Sequence, residues 1–380
     1  MEAGKFEMPV ETHRPFIFEL VEQCFANPVS VDTFQFQIAI QKPMQVPVHI
    51  LSSFGWSNPQ TEVISTGLIN TTWRVQVDKD CFLLQKINTS IFKEPHAIND
   101  NLEMLDAYLQ EHAPGYLFTA PVKTIEGSGL VWWEGEAYRA FKWVQGSHTV
   151  TVAADAGQAR EAAAQFGKFT ATLRDFDAQK LRITLPDFHN LELRNRQFEE
   201  AIQNGNPARI RESGELINYL RSQDTIVQQY KDFITNPEAK LRVTHHDTKI
   251  SNVLLDENNR GLCVIDLDTV MPGYFLSDVG DMYRTYVCPV SEEEADLDKI
   301  IVRKEFMEAI REGYLSWMKP VLSNFELDHF HYAGEMLAYM QAIRFLADYL
   351  NDDVYYGSRY PGQNLVRAGN QARLLELLVE

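Results

Sequence analysis

The hydrophobic pattern changes character near the middle of the first half of the chain. From about Val48, short apolar runs bounded by turn residues predict strands at Val63 to Ser65, Thr72 to Val77 and Cys81 to Ile87, with Asp78-Lys79-Asp80 turning the last pair. Pro95 to Leu109 carries Leu102, Leu105 and Leu109 at three- and four-residue spacing behind a proline, which predicts a helix. Extended segments follow at Val122 to Thr124, Leu130 to Tyr138 and Ala140 to Val144. Beyond Gln145-Gly146-Ser147 the period becomes helical. Asp155 to Phe176 places Ala162, Phe166, Phe169 and Leu173 on one face. Further helices are expected at Leu191 to Gln203, Glu215 to Asn236, Arg303 to Met318 and Phe330 to Leu350, with one compact β segment at Leu241 to Val270. The expected architecture is α+β and bilobal. A β-rich N-terminal lobe spans 46–146 and a mainly helical C-terminal lobe spans 147–380. Residues 1–45 form an extension of unassigned role, with a short helix at Phe16 to Phe25. Ligand sites favour the junction between two such lobes.

Composition narrows the partners. The 380 residues are 45% hydrophobic and 23% charged, an ordinary globular balance. Acidic residues outnumber basic ones 53 to 35, for a net charge of −18, so no nucleic-acid partner is expected. The four cysteines, Cys24, Cys81, Cys263 and Cys288, lie far apart in no paired motif, which suits a reducing compartment. Met1 to Arg14 does not read as a secretory signal, and no run of about 18 apolar residues occurs. The expectation is a cytoplasmic protein without a membrane partner.

The chemistry concentrates between Val243 and Thr269. Val253 to Leu255 and Leu262 to Ile265 are short apolar strands around the turn cluster Glu257 to Gly261. With Leu255 opposite Leu262, Asn252 faces Ile265, next to Asp266. The open end of the hairpin then gathers an amide oxygen and a carboxylate, hard ligands suited to Mg²⁺ beside phosphate oxygens. Asp247, on the loop entering the hairpin, is left free to accept a proton or orient a hydroxyl. Lys249 adds a mobile positive charge. A base, a lysine and two metal ligands are the parts of phosphoryl transfer, where catalysis is positioning plus charge stabilisation.

The run His245-x-Asp247-x-Lys249-x-x-Asn252 resembles the catalytic loop of the protein-kinase-like fold, and Asp266 stands where that fold has its magnesium-binding aspartate. Leu267-Asp268 replaces the usual Phe-Gly, and no Ala-Pro-Glu follows. These departures resemble the aminoglycoside phosphotransferase and choline kinase branch, as does the acidic segment Asp278 to Asp281. Within that branch the chain most resembles N-acetylhexosamine 1-kinases. The likeness rests on Gly67 to Thr72, Leu84 to Asn88, Val264 to Gly273, Arg344 to Leu350 and Asp353 to Tyr356, besides the catalytic loop.

The resemblance implies transfer of the γ-phosphoryl of ATP, with Mg²⁺, to the anomeric hydroxyl of N-acetylglucosamine or N-acetylgalactosamine. Asp247 and Lys249 are then the catalytic pair and Asn252 and Asp266 the metal ligands. Gly67, Asn70 and Thr71 form the nucleotide loop. Lys86, paired with Glu103 on the following helix, contacts the α- and β-phosphates, although its neighbour Gln85 points to the other side of the sheet. Lys142 and Val144 belong to the inter-lobe hinge that holds adenine through its backbone. Asp268 is open between a second metal ligand, a sugar contact and a turn residue. Gln341, Arg344 and Asp348 share a helical stripe. It either faces solvent, laced by an Arg344–Asp348 pair, or faces the cleft with Tyr355 and Tyr356 as sugar contacts. Other acceptors remain open (homoserine, choline, methylthioribose or an aminoglycoside), as does a non-catalytic binding module.

Overall fold

The computed structural model describes residues 45–66 and 70–380. The expected extension, with its helix at Phe16 to Phe25, lies outside the described residues. The fold is α+β and bilobal. After α1 (Val48–Ser53) come β1 (Gln60–Thr66), β2 (Thr71–Val77), β3 (Asp80–Ile87), α2 (Pro95–His112), β4 (Val131–Trp133) and β5 (Glu136–Lys142). The strands form one antiparallel sheet in the order β1-β2-β3-β5-β4.

The two faces of this sheet bury different things, because successive side chains on a strand point to opposite sides. One face carries Trp73, Val75, Leu84, Tyr138 and Ala140, which pack against Ile50, Leu51 and Phe54 from α1 and its end. On the other face, Ile87 and Ala137 join Ile98, Leu102, Leu105 and Leu109 of α2. Burying each such aliphatic side chain stabilises the fold by roughly 1.5–3 kcal/mol. Two details depart from the sequence pattern. The expected strand Leu130 to Tyr138 is a hairpin, broken by Glu134 and Gly135, both with positive φ. Val122 to Thr124 is not a strand; Val122 N–H donates to the Ala140 carbonyl at 2.7 Å beside a lone bridge at Pro121.

The second lobe begins with α3 (Ala156–Thr172), whose first turn is capped by Asp155 accepting from Gln158 N–H at 2.8 Å. It continues through α4 (Leu191–Asn204), α5 (Pro207–Glu212), α6 (Gly214–Ser222) and α7 (Asp224–Thr235). Four short strands follow: β6 (Arg242–Thr244), β7 (Val253–Leu255), β8 (Gly261–Val264) and β9 (Met271–Gly273). Helices α8 (Phe275–Tyr286), α9 (Lys304–Met318), α10 (Asn324–Asp328), α11 (Tyr332–Leu350) and α12 (Gln363–Val379) complete it. Helix α11 is buried almost throughout. Helices α3 and α9 touch backbone to backbone: a Cβ at Gly167 would meet the Tyr314 carbonyl oxygen at 2.7 Å.

The expected helix Glu215 to Asn236 is two helices. The apolar set Leu216, Ile217 and Leu220 has no member at Gln223-Asp224, and a new set starts at Ile226; the chain breaks where the stripe lapses. Helix α12 was not anticipated. Its buried face mixes Asn364, Asn370 and Gln371 with leucines, which blurs the periodic signal.

Candidate active site

The catalytic-loop segment, residues 245–252, is held from below by helix α8. Asp278 accepts backbone N–H bonds from His245 at 3.3 Å and His246 at 2.8 Å. Asp281 accepts from Thr248 N–H at 2.8 Å, and the Thr248 hydroxyl donates to the Asp278 carbonyl at 2.7 Å. Two buried carboxylates thus satisfy a loop whose own N–H groups no strand could pair. His245 is fully buried. Its Nε2 donates to the Ile265 carbonyl at 2.9 Å, and its Nδ1 accepts from Asp247 N–H at 3.3 Å, which puts the ring proton on Nε2. Burial pushes its pKa down, so it is a neutral anchor between the loop and the hairpin. His246, at φ 69°, is turned the other way, with Nδ1 on the Ser277 hydroxyl at 2.7 Å.

Asp247 then projects with both oxygens engaged. Oδ1 lies 3.1 Å from Lys249 Nζ, and Oδ2 accepts from Asn252 Nδ2 at 3.1 Å. Burial pushes this carboxyl up, but the Lys249 ammonium and the two hydrogen bonds outweigh it and hold the pKa below its ordinary value. Asp247 is therefore a carboxylate at neutral pH. Lys249 is in turn held charged: burial lowers it, and Asp247 and Asp281 more than offset that.

The hairpin register is the expected one at its open end, but not at the turn, where Leu255 does not face Leu262. Val253 pairs with Val264 and Leu254 with Cys263, before a bulge shifts Leu255 onto Gly261. Ile265 N–H donates to the Asn252 carbonyl at 2.8 Å, so Asn252 and Asp266 meet at the open end. Asn252 donates its amide nitrogen to Asp247 twice, leaving Oδ1 for another partner. Asp266 adopts a left-handed backbone, φ 58°, and its carboxyl is raised to about 7 by burial and by the Asp268 and Asp247 carboxylates. A buried, negatively overloaded carboxylate next to a free amide oxygen fits a hard divalent cation.

Asn252 and Asp266 line a cavity of about 540 Å³ between the lobes, with Thr72, Leu83, Gln85 and Arg139 from the sheet and Phe141 to Val144; Asp247 is joined to it through its hydrogen bond with Asn252. Lys142 and Val144 therefore lie along this wall, where the hinge was expected. The nucleotide-side expectations fare differently. Gly67 lies outside the described residues. Asn70 is not among the lining residues; it donates to Asp268 at 3.1 Å and accepts from Asn88 N–H at 2.9 Å. Thr71 pairs with Lys86 across the strands and is not part of the lining.

Lys86 and Glu103 are not brought together. Lys86 shares its face with Leu84, the face that packs on α1, and lies 3.3 Å from Glu136. Glu103 pairs with Lys123 and accepts from Asn99. The cause is the strand pleat: the cleft face of β3 carries Leu83 and Gln85. Asp268 is 2% exposed and is taken up inside the protein, with Oδ2 on Asn70 and Oδ1 2.5 Å from Arg139 Nη2. It ties the sheet to the segment that follows the β7–β8 hairpin.

On the C-terminal side, Arg344 and Asp348 do not pair. Asp348 accepts instead from Tyr355 and Tyr356 N–H, at 2.7 and 2.9 Å, and from Asn364. The stripe is buried, with Arg344 8% and Asp348 5% exposed. Arg344 has only a 3.5 Å contact to Gln341, and its guanidinium lies 5.6 and 6.0 Å from the rings of Tyr356 and Tyr355. Burial holds His189 neutral, and the charges of Arg344 and Arg284 reinforce this.

Residues 60–314 match the model of the phosphotransferase enzyme family. The chain belongs to that family. Its fold is shared with several solved structures. One is a microcompartment-associated aminopropanol kinase (TM-score 0.58, 19% identity, covering 87% of this chain and 95% of that one). Another is an aminoglycoside phosphotransferase from Alicyclobacillus acidocaldarius (0.58, 12%, 90% and 96%). A third is a spectinomycin phosphotransferase solved with ADP and spectinomycin (0.57, 10%, 87% and 96%). Among the described residues of this phosphotransferase, no helix is long and apolar enough to cross a membrane.

Sequence reasoning on this phosphotransferase missed three groups. Asp278 and Asp281 were seen as an acidic segment, but their role as acceptors for the catalytic loop depends on how α8 docks. Asn101 was hidden in an apolar helix; its amide donates to the Arg182 and Val270 carbonyls, at 2.8 and 3.1 Å, and fastens α2 to the second lobe. Arg139 sat unremarked in β5. The alternation that put Gln85 on the cleft side was its only signal, because Arg139 is Gln85's cross-strand partner.

Proposed function

We propose that this phosphotransferase is an ATP-dependent kinase of a small molecule, and that its acceptor is the anomeric hydroxyl of an N-acetylhexosamine. One observation carries the kinase reading: the Asp247 carboxylate, kept ionised by Lys249 and Asn252, is hydrogen-bonded to Asn252, which with Asp266 lines the inter-lobe cavity. In this reading 46–146 is the nucleotide lobe, with adenine along the 141–144 segment, and 147–380 carries catalysis and the acceptor.

Asp247 orients the acceptor hydroxyl and takes its proton. Lys249 shifts from Asp247 toward the transferred group as charge moves to it. Asn252 Oδ1 and Asp266 would hold magnesium, which when bound screens the phosphate oxygens from one another. His245, neutral and bonded at both nitrogens, keeps the loop at the height the hairpin sets.

The acceptor assignment draws on the C-terminal likeness and on Arg344. A buried guanidinium without a carboxylate partner among the described residues, beside Tyr355 and Tyr356, repels an ammonium and suits hydroxyl or carbonyl oxygens. This favours a neutral sugar over choline, an amino alcohol or an aminoglycoside. The experiment is an acceptor panel read by ADP release, with the phosphorylated carbon located by NMR. Turnover of N-acetylglucosamine or N-acetylgalactosamine to the 1-phosphate is expected. Turnover confined to amines would replace the acceptor assignment. Magnesium-dependent ATP binding without ADP release for any acceptor would favour the binding-module reading.

A further inference from the structure

In kinase-like folds a β3 lysine meets the nucleotide phosphates and is held by a glutamate of the next helix. Neither member of that pair is available here. Lys86 lies on the face of β3 that packs on α1, and Glu103 is engaged with Lys123. On the cleft face the equivalent strand position is Gln85, which has no charge. A polyphosphate bound in this cavity still needs a cation from the sheet side, since Lys249 belongs to the second lobe and is paired with Asp247.

Two cations of β5 line the cavity: Lys142, at the exposed end of the strand, and Arg139, which is buried. Arg139 extends from β5 directly opposite Gln85 and lines the cavity. Its side chain is 3% exposed, and its position is over-determined. Nε and Nη2 both donate to Gln85 Oε1, at 3.1 and 2.9 Å. The guanidinium lies 5.0 Å from the Phe141 ring centroid. Nη2 is also 2.5 Å from Asp268 Oδ1, without the alignment of a hydrogen bond. Nη1 is buried with no hydrogen-bond partner. A buried cationic donor left unsatisfied is costly unless a ligand completes it. Arg139 lines the same cavity as Asn252 and Asp266, so its free donor opens toward the space where the metal and phosphates are proposed.

We propose that Arg139 is the sheet-side residue that binds the nucleotide phosphates, replacing the β3 lysine, with Gln85 as the positioning residue that aims it. Gln85 does by neutral hydrogen bonds what a helix glutamate does for a lysine. Asp268 balances the arginine's charge from the second lobe. The inference rests on the cavity being an ATP site.

The test uses the full-length protein with Mg-ADP and adenosine as probes, measured by titration calorimetry. Arg139→Gln should weaken Mg-ADP about 10- to 100-fold and leave adenosine affinity unchanged, because only the phosphates lose a charge-assisted donor. Lys86→Ala should leave both affinities unchanged. Because Asp268 loses its partner in Arg139→Gln, the variant Arg139→Gln/Asp268→Asn is run beside it; it removes both charges and should show the same selective loss. Equal weakening of ADP and adenosine in the folded double variant, ADP affinity retained there, or ADP affinity lost in Lys86→Ala would each overturn the role given to Arg139. Absence of adenine-nucleotide binding to the unsubstituted protein would instead overturn the ATP-site reading, and this inference with it.

Discussion

The two walls of the cavity differ in how they are built. The lower wall, residues 245–268, is one continuous stretch: a loop, a hairpin and the residues at its open end. The upper wall is assembled from β2, β3 and β5, which are joined only by cross-strand pairing. On the lower wall Asp247, Asn252 and Asp266 come together within one short piece of chain, so spacing alone places them. On the upper wall a single residue of register decides whether Lys86 or Gln85 faces the cleft, and a residue fifty-odd positions away supplies the charge. Local chemistry tolerates little drift in sequence, whereas chemistry shared between strands can pass from one strand to its neighbour and keep its place in space.

The largest effect should come from the lower wall. Asp247→Asn removes the base and is expected to cut turnover about 10³-fold or more while Mg-ADP affinity stays close to normal. Steady-state kinetics beside calorimetry measures both. Near-normal turnover would take Asp247 out of the base role and break the contrast at its stronger end. A smaller effect sharpens the contrast on the upper wall. In the Arg139→Gln background, adding Gln85→Lys places an ammonium on the cleft face of β3 and should recover Mg-ADP affinity several-fold. No recovery would mean that the position, and not only the charge, belongs to β5. The smallest effect is expected at Glu103→Gln, where only a partly exposed pair with Lys123 is lost; kcat and the KM for ATP should each stay within about twofold. A large rise in that KM would restore Glu103 to the site.

Much of the fold was legible because its signals are local. Apolar spacing located α2, α3, α9 and α11 within a few residues, and the Asp78 turn defined the β2–β3 hairpin. The failures share a cause. Leu130 to Tyr138 reads as one strand because Glu134-Gly135 interrupts it without an apolar gap. The Gln341, Arg344 and Asp348 stripe stays open between solvent and cleft, because polar residues at helical spacing suit either. In the folded chain Arg344 and Asp348 are buried, and Asp348 is spent on the backbone of Tyr355 and Tyr356. Buried polar groups with distant partners leave no periodic trace.

The amino-acid order by itself determined the lower wall. Two short apolar strands around a turn cluster can bury their side chains in essentially one register, and that register carries Asn252 to Asp266. Tertiary structure alone decided the rest: which face of β3 looks into the cavity, that Asp278 and Asp281 reach the loop from α8, and that Asp268 closes on Arg139. Those outcomes depend on which surfaces α1, α2 and α8 cover, and burial is a property of the assembled layers rather than of any one segment.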